Sequence, residues 1–137
     1  MAHRNPFDQE LKQILIDATT IAMVGASSNP EKASFGILQK LQKAGYRVIP
    51  VNPRETEILG ERSYPSLVDV PERIDIVDVF RRPEHVAAIV DDCIRLQVPT
   101  LWLQLGVVDD REAHRAQRAG IRVIMDRCIY VDRAALE

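Results

Sequence analysis

Apolar residues fall into two alternating kinds of stretch along the chain. Short, nearly continuous runs cover Thr20–Val24, Arg47–Val51, Ile74–Phe80, Thr100–Gln104 and Ile121–Met125, and runs of this length read as strands buried on both faces. Between them the apolar positions recur at helical spacing. Ile37, Leu38 and Leu41 form one such face, and Val86, Ile89, Val90, Cys93 and Ile94 form another at i, i+3, i+4, i+7 and i+8. Leu11, Ile14, Leu15 and Ala18 predict a leading helix within residues 1–18, with Asn5-Pro6 as its cap and first-turn proline. Gly45 and Gly120 read as helix stops, Pro83 as a helix start, and Asp109 with Glu112 as a capping pair. A short terminal helix is expected over Asp132–Leu136.

The segment from Asn52 to Arg73 is the least regular, with a turn expected at Ile58-Leu59-Gly60 and a short helix beginning at Ser66–Asp69. Pro50 inside the second strand points to an edge position, where its missing N–H does no harm. Strands alternating with amphipathic helices, joined by right-handed crossovers, predict an α/β fold. The expectation is a Rossmann-like, doubly wound and mainly parallel sheet of about five strands with helices on both faces. Residues 1–137 form one domain in this reading.

Composition narrows the function more than the fold. The 137 residues are 46% hydrophobic and 28% charged, with a formal net charge of −2. That balance excludes a global basic field, so nucleic acid and anionic membrane surfaces are not expected partners. No apolar run approaches the roughly 18 residues of a membrane span, and Met1–Asp8 has no signal-peptide core. The two cysteines, Cys93 and Cys128, make no CxxC pair and no zinc pattern, and a reducing cytoplasm suits them.

A ligand of such a sheet docks outside the carboxyl ends of its strands. Gly25-Ala26-Ser27-Ser28 follows the first strand, Asn52-Pro53-Arg54 the second and Arg81-Arg82 the third; Gln104-Leu105-Gly106 and Asp126-Arg127-Cys128 come after the fourth and fifth. Lys32, Arg54, Arg81, Arg82 and Arg127 thus gather on one predicted edge of an otherwise acidic chain. Gly25 allows a tight turn, and the loop amides with the Ser27 and Ser28 hydroxyls can donate to phosphate beside a helix N-terminus. The loop is not a dinucleotide fingerprint, since Ser27 and Pro30 stand where its second and third glycines belong. Asn52-Pro53-Arg54 also replaces the acid that reads a ribose diol, which disfavours NAD, and Arg54 suits an additional ribose phosphate. NADP and coenzyme A both satisfy these constraints. The GK[ST] end of a P-loop is missing, which disfavours an ATPase.

Val24-Gly25-Ala26-Ser27-Ser28, Val51-Asn52-Pro53, Asp78-Val79-Phe80-Arg81-Arg82-Pro83, Trp102-Leu103-Gln104-Leu105-Gly106 and Met125-Asp126-Arg127-Cys128 together resemble the small stand-alone CoA-binding proteins. These are similar to the N-terminal CoA-binding domain of the succinyl-CoA synthetase alpha subunit. The resemblance implies a Rossmann-like protein holding coenzyme A or an acyl-CoA. It implies that Gly25, Ala26, Ser27 and Ser28 meet the pyrophosphate region, with Lys32 and Ser34 alongside. Asn52, Pro53 and Arg54 would supply the basic segment, Val79, Phe80 and Arg81 would flank the nucleotide, and Gln104, Leu105 and Gly106 would touch the cofactor from the fourth strand. The synthetase carries its phosphorylated histidine on a second domain that this sequence does not include, so its ligase chemistry is not expected here.

No catalytic group and no metal ligand is assigned. His3 falls in an expected flexible terminus, His85 and His114 fall early in separate helices, and no pair has ligand spacing. Cys93 lies on a core stripe, whereas Cys128 beside Arg127 is a candidate for a mixed disulfide with the CoA thiol. Asp75 and Asp78 are three apart in a strand, hence on opposite faces and no dyad. Trp102 reads as core, and Phe80 as the better stacking residue. The expected function is non-catalytic coenzyme A binding; the alternatives are a small NADP-dependent oxidoreductase and an interaction module that has lost its nucleotide.

Overall fold

The computed structural model describes residues 1–136. Its helices are α1 (Asp8–Asp17), α2 (Ala33–Lys43), α3 (Val86–Leu96), α4 (Asp110–Arg118) and α5 (Ile129–Ala134). Its strands are β1 (Thr20–Val24), β2 (Arg47–Val51), β3 (Glu57–Ile58), β4 (Glu61–Arg62), β5 (Ile76–Val79), β6 (Thr100–Leu103) and β7 (Arg122–Met125). Five of these form one sheet in the order β2-β1-β5-β6-β7, with every neighbouring pair parallel. The expected doubly wound α/β architecture is the observed one.

Alternation along each strand divides the core into two layers. Val24, Ile49, Val77, Leu101 and Val123 join the buried face of α3 and α4, and Ile21, Met23, Val48, Ile76, Trp102 and Ile124 join α1, α2 and α5. Both sheet faces are therefore apolar, which is why the strands read as continuous hydrophobic runs. Pro50 sits in β2 at the sheet's edge, as its missing donor requires. Helix ends follow the glycines. Gly45 takes φ +103° behind α2 and Gly120 takes φ +90° behind α4, with Tyr46 N–H bonded to Leu41 O and Ile121 N–H to Ala116 O. Asp109 caps α4 by accepting the Glu112 N–H at 3.0 Å.

Several local expectations are corrected. α1 begins at Asp8 behind Phe7, not at an Asn5 cap. The Asn5 side chain instead pairs with β7, its Nδ2 donating to Met125 O at 3.0 Å and its Oδ1 accepting from Met125 N at 2.8 Å. His3 is not a loose end either, for its Nε2–H donates to Val123 O at 2.9 Å and its backbone N–H to Asp110 Oδ1. Residues 3–5 thus cover the outer edge of β7 and satisfy groups that an open edge would expose. The expected turn at 58–60 joins a two-stranded β3–β4 hairpin, turned by Leu59 at φ +49° and Gly60 at φ +82°. The last helix starts at Ile129, three residues before its expected start.

Candidate functional site

Chain order sets where the site lies. The path leaves β1 for β2 on one side, then returns past β1 to β5 on the other, so strand order reverses between β1 and β5. The carboxyl ends diverge there, and an open parallel sheet binds ligands in that crevice. A cleft of about 610 Å³ occupies it, lined by Gly25, Ser27, Lys32, Ala33, Ser34, Asn52, Pro53, Arg54, Phe80 and Arg81.

Gly25 closes β1 at φ +89°, and its N–H donates to Val51 O at 3.0 Å. A Cβ at this position would lie 2.9 Å from the Phe80 carbonyl oxygen, so only glycine lets the loop pass so close to β5. Ser27 Oγ accepts the Asn29 N–H at 3.0 Å and keeps its own proton to donate. α2 then begins at the cleft behind Lys32, with no side-chain cap and no acid in its first turn. Its unbonded amides and positive dipole end therefore face the space that Lys32, Arg54 and Arg81 also border. Arg81 Nη2 lies 3.1 Å from His85 Nε2, which accepts from it. Lys32 and Arg54 are exposed and make no ion pair with a described residue.

Asn52 braces the site. Its Nδ2 donates to Ala26 O at 2.8 Å and its Oδ1 accepts the Arg54 N–H at 2.8 Å, tying the loop after β2 to the loop after β1. Glu55, three residues on, accepts from both the Ser28 backbone N–H and hydroxyl.

Not every expected residue lines the cleft. Ala26 and Val79 are fully buried beneath it, and Ser28 stands exposed at its rim. Gln104 is buried with its Oε1 accepting the Ile129 N–H at 2.9 Å, and Gly106 donates its N–H to Asp126 Oδ1 at 2.8 Å. Leu105, 65% exposed, stands out from the same loop at the end of β6, outside the lining. Of the other expected cations, Arg127 is bonded through two nitrogens to Asp132, and Arg82 lies 3.7 Å from Glu84. Trp102 is core, its Nε1–H donating to Arg127 O, while Phe80 is half-buried in the cleft wall. Cys128 is a half-buried free thiol at the start of α5, and Cys93 is buried with its thiol pushed up to about 12 by burial. Asp75 accepts from the N–H groups of Thr19 and Thr20 at the opposite end of the sheet, far from any dyad with Asp78. Ala33, Glu55 and His85 were not anticipated from sequence; only His85, four residues after Arg81 at a helix start, carried a local sign of its contact.

Comparison with known proteins bears on the fold and the family. A family model described as a CoA binding domain matches residues 19–134. The protein YneT of Bacillus subtilis is 38% identical over 131 residues, covering 96% of this chain and 97% of its own. An ADP-forming acetate–CoA ligase of Methanocaldococcus jannaschii is 30% identical over 132 residues, covering 90% of this chain but only 19% of the ligase. Among solved structures, a hypothetical protein from Pyrococcus horikoshii OT3 superposes with a TM-score of 0.92 at 31% identity, over 99% of both chains.

Proposed function

This chain belongs to the CoA-binding domain family, and from that premise we propose that it holds coenzyme A or an acyl-CoA in the cleft where β1, β2 and β5 end. One observation carries the reading most directly. The uncapped start of α2 and three cations, Lys32, Arg54 and Arg81, converge on one cleft in a chain of net charge −2. An anion held by amides, hydroxyls and lysine or arginine at a helix start is a recurrent phosphate arrangement.

In this proposal the pyrophosphate rests on Gly25–Ser28, Lys32 and Ser34, with Ala26 and Asn52 shaping the loop rather than touching the ligand. Arg54, beside Pro53, takes the ribose phosphate, and Arg81 takes a second anionic oxygen. The adenine lies against Phe80 above Val79. The pantetheine arm runs over the end of β6, past Gln104, Leu105 and Gly106. We assign no reacting residue to the chain and place its role in holding or presenting the cofactor, in a reducing cytoplasm that suits the free thiols of Cys93 and Cys128. Among the described residues no helix is long and apolar enough to cross a membrane.

Calorimetric titration with CoA, dephospho-CoA, NADP and NAD tests the reading. CoA is expected to bind more tightly than dephospho-CoA. Arg54→Ala should cost CoA about 1.5–3 kcal/mol, the worth of a charge-assisted bond, and leave dephospho-CoA nearly unchanged. Tight NADP binding without a CoA response would sink the proposal, and equal losses for both ligands would remove Arg54 from the ribose phosphate.

A further inference from the structure

The cleft carries an internal competitor for its own donors. Ser28 gives its backbone N–H to Glu55 Oε2 at 2.6 Å and its hydroxyl to Glu55 Oε1 at 3.0 Å. One carboxylate thereby takes two donors of a single residue, as two oxygens of a phosphoryl group would. Ser28 and Glu55 lie just outside the lining, but their chain neighbours Ser27 and Arg54 both belong to it, so the contact ties together two loops that wall the cleft. Glu55 is also held in place from behind. Its N–H donates to Asn52 O at 3.3 Å, and Asn52 is anchored in turn to Ala26 O. A carboxylate tethered this way competes at high effective concentration, because its tether has already met the entropic cost of docking.

We infer that Glu55 is a specificity-determining residue of this anion seat: it occupies Ser28 until a phosphoryl group displaces it, and so sorts ligands by charge. The inference rests on the reading of the cleft as a phosphate site. A ligand carboxylate brings the same single charge and the same two-oxygen geometry that Glu55 already supplies. Exchanging one for the other gains little, and the displaced Glu55 remains close enough to repel the newcomer. A phosphoryl group brings more charge and a third oxygen, which the α2 start, Lys32, Arg54 and Arg81 can use while Ser28 is taken over. Every ligand therefore loses some affinity to Glu55, and carboxylates lose the most.

The test is titration of the wild-type chain, Glu55→Gln and Glu55→Ala with CoA, inorganic pyrophosphate and succinate. Thermal melting confirms that each variant is folded. Both variants should bind CoA and pyrophosphate about threefold to tenfold more tightly than wild type, and succinate should gain by a larger factor, so that selectivity for phosphate narrows. The wild-type Ser28 amide resonance should shift when pyrophosphate is added, as the carboxylate leaves it. Unchanged or weaker binding in both variants would show that Glu55 merely braces the loop, and would overturn the inference. CoA binding with no gain in the variants sinks the filter and leaves the cofactor assignment standing. Tighter pyrophosphate binding by Glu55→Gln with no CoA binding does the reverse, and failure of all three proteins to bind either CoA or pyrophosphate overturns both.

Discussion

Asp78 lies in β5 with both carboxyl oxygens buried and without a hydrogen-bond partner, in register between Met23 of β1 and Trp102 of β6. Burial pushes its carboxyl well above the ordinary value of 3.8, so the fold favours the neutral acid. The folded state therefore holds this proton to higher pH than the unfolded chain does. The stability tied to this group is fully present below pH 3.8 and is lost as pH climbs towards the raised folded value, at up to about 1.4 kcal/mol per pH unit. Asp75 works in the opposite sense. Burial alone would raise it, but the N–H groups of Thr20 and Thr19 outweigh burial and hold it below its usual value. Comparing Asp78→Asn with the wild type isolates the first effect. Urea unfolding at pH 5, 6 and 7 should show the variant gaining stability relative to wild type as pH rises. A constant difference across that range would mean Asp78 is not titrating with folding. The alternation of the strand showed that Asp78 and Asp75 face apart; it contained no sign that Asp78 would be left unpaired.

At the scale of elements, three helices end in the same way but with different residues. α2 and α4 use Gly45 and Gly120, and α3 uses Gln97 at φ +54°, with Val98 N–H bonded to Cys93 O at 3.1 Å. A non-glycine residue in the left-handed region costs about 1 kcal/mol, and Gln97 is exposed, with its side chain making no hydrogen bond to a described residue. Gln97→Gly should therefore stabilise the protein by about 0.5–1 kcal/mol, less whatever glycine's freedom adds to the unfolded chain. Chemical denaturation measures it, and a loss of stability would show that the Gln97 side chain matters in some other way. The glycine stops of α2 and α4 were legible because Gly announces φ > 0 locally, whereas the end of α3 had to be inferred from where its apolar stripe ran out. The start of α1 was misread for a related reason. Asn5 is a good cap by type, but the edge of β7 offered its amide a donor and an acceptor together, and that pairing prevailed.

For the whole molecule, the cleft joins three stretches of chain that only the folded sheet brings together: the loop after β1 with the start of α2, residues 52–54, and residues 80–81. A ligand seated there binds the folded state alone and stabilises it by RT ln(1 + [L]/Kd), about 2.7 kcal/mol at a hundredfold excess over Kd. CoA should therefore raise the melting temperature, and the rise should shrink between 0.05 and 0.5 M salt in rough proportion to screening of Lys32, Arg54 and Arg81. Hydrogen exchange should slow in those three stretches and not at residues 3–5 along β7. Protection confined to the β7 edge would place the ligand elsewhere.

The sequence by itself determined the architecture, because strand and helix periods are local and each run carries its own signal: five parallel strands, their crossovers, the edge place of Pro50, the core place of Trp102, and the edge of the sheet where cations and small polar residues collect. It also marked Gly25 for the tight turn behind the first strand, whereas its close pass by Phe80 belongs to the folded sheet. The tertiary structure alone decided which of those residues share a cleft. It drew Lys32, Ser34, Arg54 and Arg81 together, left Gln104 and Gly106 bonded to their own neighbours, and paired Arg127 with Asp132. It decided, too, that Glu55 should meet Ser28 across 27 positions of sequence. Such a contact depends on how two loops lie above a finished sheet, and no local periodicity encodes that distance. The loop of Gly25, Ser27 and Ser28, whose sequence suits a phosphate, is in the folded chain already answered by a carboxylate of its own.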